Sequence, residues 1–398
     1  MKIAMVGDLG RGNGSDMAGT GRYDLASLAG ALTRHGHEVT LFSAVSDDAP
    51  GPADIRVERI PVDRIPAIGD ADRSEALMPA VGEIGRHLID AWGQDLPDVV
   101  HCHGRSYGMA AQLAAKRLPV PTVQSFDGLS TTARRLCGAQ TVSETALKVE
   151  TLLARNATTV TAACNDDMGE LIRLGCPRAR VAVLPHGVDV DEDATEEDVS
   201  RGGAVSRRLV AVARDFSPQQ NLAQVLRVLP SLGAAELVLV ATDPGDVTDH
   251  RRLVDMARDL RVADRVRVAA GVRRESLTAE FRAAEVIVLP APYESSCATA
   301  LEAMACGVPV VATAAGGVRD AVIADVTGLL VEPGDPQALG RALRSILGQT
   351  VLRQGMGLAG RSRARSRYSW DRIATDAEVV YTAAAARHGR AVAPVAGH

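Results

Sequence analysis

A chain of 398 residues is long enough for two domains, and its 46% of hydrophobic residues is enough to form two ordinary cores. The net charge of −5 gives no reason to expect nucleic acid or an anionic membrane surface as a partner. Aromatic residues make up only 3% of the sequence, which is too few for a surface that binds bases or sugars by stacking.

The sequence contains no stretch that approaches the roughly 20 consecutive apolar residues of a membrane-spanning helix. The apolar run after Met1 is too short for a signal peptide and is interpreted as a first strand. The six cysteines form no CxxC pair and no repeated spacing, which is typical of an intracellular enzyme with scattered thiols. We therefore expect a cytoplasmic protein without integral membrane association, and a homodimer is compatible with the sequence.

The first elements are predicted to alternate between strand and helix. Residues 2–6 are predicted to be a strand, residues 7–21 a glycine-rich loop, residues 23–35 a helix and residues 36–42 a second strand. Dinucleotide-binding dehydrogenases begin in a similar way. Here the GxGxxG spacing is absent and no acidic residue ends the second strand, so that alternative is disfavoured.

Polar side chains end the next two predicted strands. Residues 97–103 are predicted to be a buried strand that ends in His101 and His103, and no third ligand lies near enough to predict a metal site. The following strand, residues 121–126, leads directly into Asp127. An aspartate at this position accepts hydrogen bonds and could act as a general base if its pKa were raised.

Two arginines follow that strand. Arg134 and Arg135 are predicted to lie in a loop, where they could contact an anionic substrate or simply form a solvated surface. The acidic run from residue 189 to residue 198 and the glycine pair after it indicate a linker to a second domain. That domain opens with a strand over residues 209–213, after which come Arg214 and, before a helix, Gln220.

The stretch from Val286 to Gly334 is the most informative part of the chain. It predicts a strand, a loop that carries Glu294, a helix that carries Glu302, and a second strand, which together form one unit of a parallel sheet. On a single helix the two glutamates would lie roughly 12 Å apart along the axis, so Glu294 is placed in the loop. The free amides at the start of the helix could hold a phosphate, with the two carboxylates on sugar hydroxyls. An ordinary buried unit with two solvated glutamates fits the spacing about equally well.

The same stretch resembles the C-terminal signature of family 4 of the retaining glycosyltransferases, which have the GT-B fold. The resemblance is carried by Glu-x7-Glu, here Glu294 and Glu302, within LEAMACGVPVVAT, and by Gly316-Gly317, Thr327-Gly328 and Val331-Glu332-Pro333. Related motifs recur in order along nearly the whole chain. The long glycine-containing loop near the N-terminus resembles the branch of the mycothiol-pathway glycosyltransferases.

The resemblance implies an α/β protein of two Rossmann-like parallel-sheet domains that face a central cleft. Residues 1–190 would form an acceptor-binding domain and residues 191–368 a nucleotide-sugar-binding domain. A helix over residues 369–386 would cross back to the first domain, and residues 387–398 would form a tail.

The resemblance also implies the roles of individual residues. Glu294 would contact the donor sugar, Glu302 the ribose hydroxyls, and Arg214 with nearby backbone amides the diphosphate. The implied donor-binding set is Gly19, Thr20, Gly21, Arg214, Gln220, Val272, Arg273, Glu294, Cys297, Ala298, Thr299, Ala300 and Glu302. The implied acceptor-binding set is His103, Asp127 and Arg134, and the implied catalytic set is Glu294, Arg214 and Asp127. The family needs no metal or cofactor, since the nucleotide sugar is a substrate.

Three positions depart from the usual family pattern. Asp127 stands where relatives commonly have a histidine, Gln220 where they have a lysine, and Cys297 where they have a glycine. An ionised aspartate cannot donate a hydrogen bond. The lost lysine charge on the diphosphate would cost roughly 1.5–3 kcal/mol of binding. The sequence has no lysine after Lys148, so a second cation would have to be an arginine such as Arg273 or Arg274.

Two functions from different classes follow. The first is a metal-independent retaining glycosyltransferase that moves a sugar from a UDP- or GDP-sugar to a small soluble acceptor. That acceptor would belong to specialised (antibiotic) metabolism or to low-molecular-weight thiol biosynthesis. The alternative is a catalytically degenerate GT-B protein that acts as a binding or partner subunit. A sugar-nucleotide epimerase or a phosphorylase explains the order of motifs less well.

Overall fold

A computed structural model describes residues 1–8, 24–44, 55–62, 77–126, 128–137, 143–190, 207–243, 245–272 and 274–389. The chain divides into two compact units. Among the described residues, the first unit contains residues 1–8, 24–187 and 370–389, and the second runs from Val188 to Ser369.

The first unit is built on a sheet of seven parallel strands in the order β3-β2-β1-β4-β5-β6-β7. The chain first adds strands on one side of β1 and then on the other, so the order reverses between β1 and β4. The strands are β1 (Lys2–Val6), β2 (Glu38–Ser43), β3 (Arg56–Arg59), β4 (Val99–His103), β5 (Thr122–Ser125), β6 (Thr159–Ala162) and β7 (Val181–Val183).

Helices cover both faces of this sheet. In chain order they are α1 (Leu25–Arg34), α2 (Val81–Gln94), α3 (Arg105–Ala115), α4 (Ser130–Cys137), α5 (Glu144–Asn156) and α6 (Asn165–Arg173). Asp24 caps the first of them by accepting a hydrogen bond from the amide of Ser27 at 3.0 Å. Alternate residues of β4 divide between the two faces, since Val99 packs with α1 while Val100 packs with α2 and α3.

The second unit is built on six parallel strands in the order β10-β9-β8-β11-β12-β13, which reverses between β8 and β11. The strands are β8 (Arg208–Ala213), β9 (Glu236–Ala241), β10 (Val266–Ala270), β11 (Val286–Leu289), β12 (Val310–Thr313) and β13 (Gly328–Val331). The helices are α7 (Leu222–Val228), α8 (Val247–Asp259), α9 (Arg274–Arg282), α10 (Ala298–Ala305), α11 (Gly316–Ala321), α12 (Pro336–Gly348) and α13 (Thr350–Tyr368).

The last helix of the chain, α14 (Trp370–Arg387), belongs to the first unit. Its apolar face, which includes Ile373, Ala377 and Tyr381, packs in one core with Ile3 of β1 and Leu28 of α1. Residues from both ends of the sequence therefore build one face of the first sheet.

The structure confirms two Rossmann-like parallel-sheet units, and the strand predicted over residues 2–6 has those bounds. The strand predicted at the start of the stretch from Val286 to Gly334 is β11. The loop predicted around Arg134 and Arg135 is wrong, because both residues lie on α4. That helix is fixed at its start by the Glu150 carboxylate, which accepts hydrogen bonds from the amide of Ser130 at 3.0 Å and from its hydroxyl at 2.6 Å.

Candidate functional site

The second sheet offers a ligand site where its strand order reverses. In open parallel sheets, ligands bind beside the carboxyl ends of the strands at this point. The strands concerned are β8 and β11, which pair through Val210 and Ile287. Arg214 follows β8 directly, and the loop that carries Glu294 follows β11. The two elements singled out in the sequence therefore leave adjacent strands at the same edge.

Two glycines hold the Glu294 loop against the start of α11. The amide of Gly317 donates a hydrogen bond to the carbonyl oxygen of Glu294 at 2.8 Å. A Cβ atom on Gly316 would lie 2.0 Å from that same oxygen, and the φ angle of Gly316 is +62°, which L side chains rarely adopt. A Cβ atom on Gly317 would lie 2.5 Å from the carbonyl oxygen of Ser295. The close backbone approach requires glycine at both positions.

The helix α10 begins immediately after this loop. Its first turn contains Ala298, Thr299 and Ala300, all of them buried. The amide of Ala298 donates to the hydroxyl of Ser296 at 3.1 Å. The first amides of a helix have no acceptor within the helix and create a positive end, which suits an anion.

Cys297 precedes α10 and is buried, and burial raises the pKa of its thiol to about 12. The thiol is therefore neutral at physiological pH and adds no charge to this edge.

The two glutamates occupy the places that their eight-residue spacing predicted. Glu294 lies in the loop, and Glu302 lies on α10, one turn beyond its start. Both residues are partly buried. Partial burial raises the pKa of the Glu294 carboxyl group to about 7. Glu294 can therefore donate as well as accept a hydrogen bond near neutral pH.

Arg214 extends from the end of β8 and keeps 52% of its side chain exposed. Its guanidinium lies 3.3 Å from the carboxylate of Asp215, which also accepts a hydrogen bond from the amide of Ser217 at 2.9 Å. An exposed pair of this kind contributes little to stability and leaves Arg214 able to contact an anion.

Gln220 and Val272 lie after the ends of β8 and β10. Gln220 closes a single 3-10 turn, Pro218–Gln220, and the next residue, Asn221, has a φ angle of +58° and leads into α7. Val272 is partly buried, and its amide donates to the carbonyl of Ala241 at 3.3 Å. Both residues thus lie at the same edge of the sheet as Arg214 and Glu294.

In the first unit, His103 ends β4, next to the position where the strand order reverses. Its Cβ atom lies 3.3 Å from the place that a Cβ atom on Gly7, just after β1, would occupy. His103 is buried, and its ring centroid lies 4.1 Å from that of His101. Burial and the neighbouring His101 lower the pKa of His103 well below its ordinary value, so the ring is neutral.

Arg134 and Arg135 are engaged with carboxylates on neighbouring helices. Arg134 lies 2.8 Å from Glu144, and Arg135 lies 3.1 Å from Glu170. The nearby Arg105 lies 3.0 Å from Glu150, which is fully buried. Burial raises the pKa of Glu150, while Ser130 and Arg105 oppose that shift. Glu150 is not among the predicted site residues, and the signal that could have indicated it is an acidic residue at a helix position that faces the core.

Five residues of the predicted sites lie outside the described residues: Gly19, Thr20, Gly21, Asp127 and Arg273. Over the described ranges, no group of three or more histidine, cysteine, aspartate or glutamate side chains is arranged to hold a metal ion. Within the same ranges, no helix combines the length and the apolar character required to cross a bilayer.

Comparison with known protein families matches both halves of the chain. Residues 19–187 match the family model described as Glycosyl transferase 4-like domain. Residues 194–363 match the family model described as Glycosyl transferases group 1.

Individual proteins that match this chain are also glycosyltransferases. The D-inositol 3-phosphate glycosyltransferase of Xylanimonas cellulosilytica is 31% identical over 396 residues, which cover 94% of this chain and 93% of that protein. The protein of the same name from Streptomyces griseus is 30% identical over 416 residues, which cover 95% of this chain and 87% of that protein.

Among solved structures, sucrose-phosphate synthase from Thermosynechococcus elongatus matches with a TM-score of 0.81 and 22% identity, over 95% of this chain and 98% of that chain. Anabaena HepE in complex with UDP and glucose matches with a TM-score of 0.72 and 19% identity, over 95% and 98% of the two chains. At these identities the likeness concerns the fold.

Proposed function

Because the chain belongs to glycosyltransferase family 4 and has the GT-B fold, we propose that it transfers a sugar from a UDP- or GDP-sugar to a small soluble acceptor, with retention of anomeric configuration. The second unit would bind the donor and the first unit the acceptor. The nucleotide sugar is a substrate in this proposal, and neither a metal nor another cofactor is required.

The strongest support for the donor site comes from the loop that carries Glu294. The Glu294 loop, held by Gly316 and Gly317, leads directly into the first turn of α10 beside the strand that ends at Arg214. Backbone amides, a positive helix end and a guanidinium are the groups that bind a diphosphate. Two carboxylates beside them, Glu294 and Glu302, suit the hydroxyl groups of a sugar and a ribose.

The proposed chemistry is electrostatic. As the bond between the sugar and the diphosphate breaks, negative charge grows on the departing diphosphate. Arg214 and the amides of residues 297–300 would stabilise that charge, and preorganised donors of this kind are worth more in the transition state than in water. Glu294 would orient the sugar. The acceptor oxygen would bond to the anomeric carbon on the face that the diphosphate leaves, and its proton would pass to the leaving phosphate while Asp127 accepts a hydrogen bond from the acceptor hydroxyl.

The names of the relatives indicate which acceptor to test first. Both full-length relatives described above are D-inositol 3-phosphate glycosyltransferases. We therefore propose an acceptor that presents a hydroxyl group, of the size and polarity of an inositol or its phosphate. A role in specialised metabolism or in low-molecular-weight thiol biosynthesis would follow from such a product.

A catalytically degenerate protein is the second candidate, and two observations favour it. Gln220 brings no charge to the turn after β8, and Cys297 brings a neutral buried thiol to the start of α10. If phosphate binding were weakened at both places, the second unit would bind a nucleotide poorly or would bind it without turnover.

Product formation distinguishes the two candidates. Purified protein is incubated with UDP-glucose, UDP-N-acetylglucosamine or GDP-mannose, and with D-inositol 3-phosphate or myo-inositol, and products are measured by mass spectrometry. We expect one donor and acceptor pair to give a glycoside whose anomeric configuration by NMR matches that of the donor. Donor binding without product from any pair would favour the degenerate protein, and an inverted product would contradict the retaining mechanism.

The site variant is Glu302→Ala, and Glu236→Ala is its matched control. Glu236 begins β9 at the amino-terminal edge of the same sheet, 3.7 Å from Arg208 and away from the proposed donor site. Glu302→Ala should lower turnover at least tenfold, whereas Glu236→Ala should leave it within a factor of two. Equal effects of the two substitutions would contradict the assignment of Glu302.

A further inference from the structure

A line of buried polar side chains crosses the first sheet from the last helix of the chain. Tyr381 of α14 lies with its hydroxyl 2.7 Å from Nδ1 of His101. Nε2 of His101 lies 2.7 Å from the hydroxyl of Ser125 on β5, and that hydroxyl contacts the hydroxyl of Thr161 on β6. All four side chains are buried. A helix from the end of the sequence thus contacts the central strands directly.

The hydrogen bonds hold the His101 ring at both of its nitrogens. Tyr381 is the partner of Nδ1, and Ser125 is the partner of Nε2. The hydroxyl of Ser125 is itself held by the hydroxyl of Thr161, which also donates to the carbonyl oxygen of Gln124 at 3.5 Å.

Burial lowers the pKa of His101 to about 3, so its ring is neutral. A neutral imidazole has one N–H donor and one acceptor nitrogen, and a hydroxyl can serve either of them. Hydrogen bonds at both nitrogens thus hold the His101 ring in a single orientation.

The orientation of His101 bears directly on His103. His101 and His103 are two residues apart on β4, so their side chains project from the same face of the sheet. Their ring centroids lie 4.1 Å apart. His103 is the last residue of β4, at the edge where parallel sheets bind ligands. A rotation of the His101 ring would displace the ring of His103.

We propose that Tyr381 is a positioning residue: its hydroxyl fixes the ring of His101, and His101 in turn fixes His103 at the acceptor edge of the first sheet. This inference rests on the proposed function, because it takes His103 as an acceptor contact. It makes α14 part of the acceptor site as well as part of the core.

The test compares Tyr381→Phe with Tyr107→Phe. Tyr107 is a matched control, because it is also buried in the first unit and its hydroxyl also makes a hydrogen bond, accepting from the amide of Ala44 at 3.1 Å. It belongs to the core on the opposite face of the sheet, away from His101. The first measurement records the ring signals of the histidines by two-dimensional 15N NMR of the full chain.

We expect wild type and Tyr107→Phe to show the same ring 15N signals for His101 and His103, and Tyr381→Phe to show shifted or broadened signals for both rings. Kinetically, Tyr381→Phe should raise KM for the acceptor about threefold to tenfold, the effect of one hydrogen bond. The KM for the donor should stay within twofold of wild type. Unchanged ring signals in Tyr381→Phe, or an equal rise in acceptor KM in both variants, would overturn the proposal.

The NMR arm needs no substrate, so it separates this inference from the proposed function. A protein whose ring signals respond as expected but that transfers no sugar would refute the proposed function and leave the positioning of His101 intact, while the acceptor role of His103 would be overturned. If Tyr381→Phe does not fold, Ser125→Ala removes the hydrogen bond at the other nitrogen of the same ring. It should shift or broaden the signals of the same two rings, and unchanged signals would again overturn the proposal.

Discussion

The carbonyl oxygen of Glu294 and the amide of Gly317 are joined by a hydrogen bond of 2.8 Å. The bond ties the loop after β11 to the start of α11, although 23 residues separate the two positions in sequence. Backbone geometry therefore helps to position the Glu294 side chain and the amides at the start of α10. Substitutions at the glycines test this arrangement without altering any charged group.

Gly317→Ala should abolish or strongly weaken nucleoside diphosphate binding. Its Cβ atom would lie 2.5 Å from the carbonyl oxygen of Ser295 and 2.9 Å from the amide nitrogen of Cys297, so the loop must shift. Binding is measured by isothermal titration of the diphosphate. Gly348→Ala is the control, because a Cβ atom there would meet nothing within 4 Å. Unchanged affinity in Gly317→Ala would show that the loop does not shape the site.

Two glycines in the same helix should respond oppositely to alanine. Gly355 of α13 faces open space, so Gly355→Ala should raise the free energy of unfolding by roughly 0.5–1 kcal/mol. A Cβ atom on Gly357 would lie 2.0 Å from the carbonyl oxygen of Gly307, so Gly357→Ala should lower it by about 1–3 kcal/mol. Urea unfolding of both variants tests the pair. A stabilised Gly357→Ala would contradict the close packing of α13 on the end of α10.

Glu294 should make stability depend on pH. Its pKa in the folded state is about 7, above the ordinary 4.5, so the folded state retains a proton that the unfolded state has lost. The stabilisation is complete below about pH 4.5 and is lost as the pH rises through 7, at up to about 1.4 kcal/mol per pH unit. Glu294→Gln has no such proton to lose.

The measurement for Glu294 is the free energy of unfolding at pH 5.5 and pH 8 for wild type and Glu294→Gln. Wild type should lose more stability than the variant between these values. The same pH dependence in both proteins would show that the pKa of the Glu294 carboxyl group is not raised in the folded state.

Gln220→Lys should strengthen diphosphate binding. A lysine at this turn would supply the cation that the family resemblance implies here, and a hydrogen bond to a charged group contributes roughly 1.5–3 kcal/mol, which is about tenfold to a hundredfold in affinity. Gln219→Lys adds the same charge one residue earlier, at an exposed position. It should have a much smaller effect that disappears with added salt. An equal gain in diphosphate affinity from both substitutions would indicate a general charge effect and no specific phosphate contact at residue 220.

Local patterns were sufficient to predict much of the fold. Apolar runs bounded by turn residues predicted β1 and β11, and the spacing of Glu294 and Glu302 predicted that one lies in a loop and the other on a helix. These predictions succeed because they depend on neighbours in sequence. The departures from the family pattern expected at Gln220 and Cys297 stay predictions.

Long-range contacts were not predictable in this way. Tyr381 and His101 are 280 residues apart, and no periodicity in either segment indicates that they share a hydrogen bond. The helix around Arg134 was missed for a similar reason. It is fixed by Glu150, which lies 20 residues beyond Ser130 and contributes a buried carboxylate to the start of another helix.

The central claim is that the start of α10, with Glu294 and Glu302, binds a nucleoside diphosphate. A thermal-shift panel with UDP, GDP, ADP and dTDP on wild type, Glu302→Ala and Glu236→Ala tests it most directly. A ligand at 100 times its dissociation constant stabilises by about 2.7 kcal/mol, which is a rise of several degrees in Tm. We predict such a rise with UDP or GDP in wild type and in Glu236→Ala, and its loss in Glu302→Ala. No rise with any diphosphate, or an undiminished rise in Glu302→Ala, would contradict the claim.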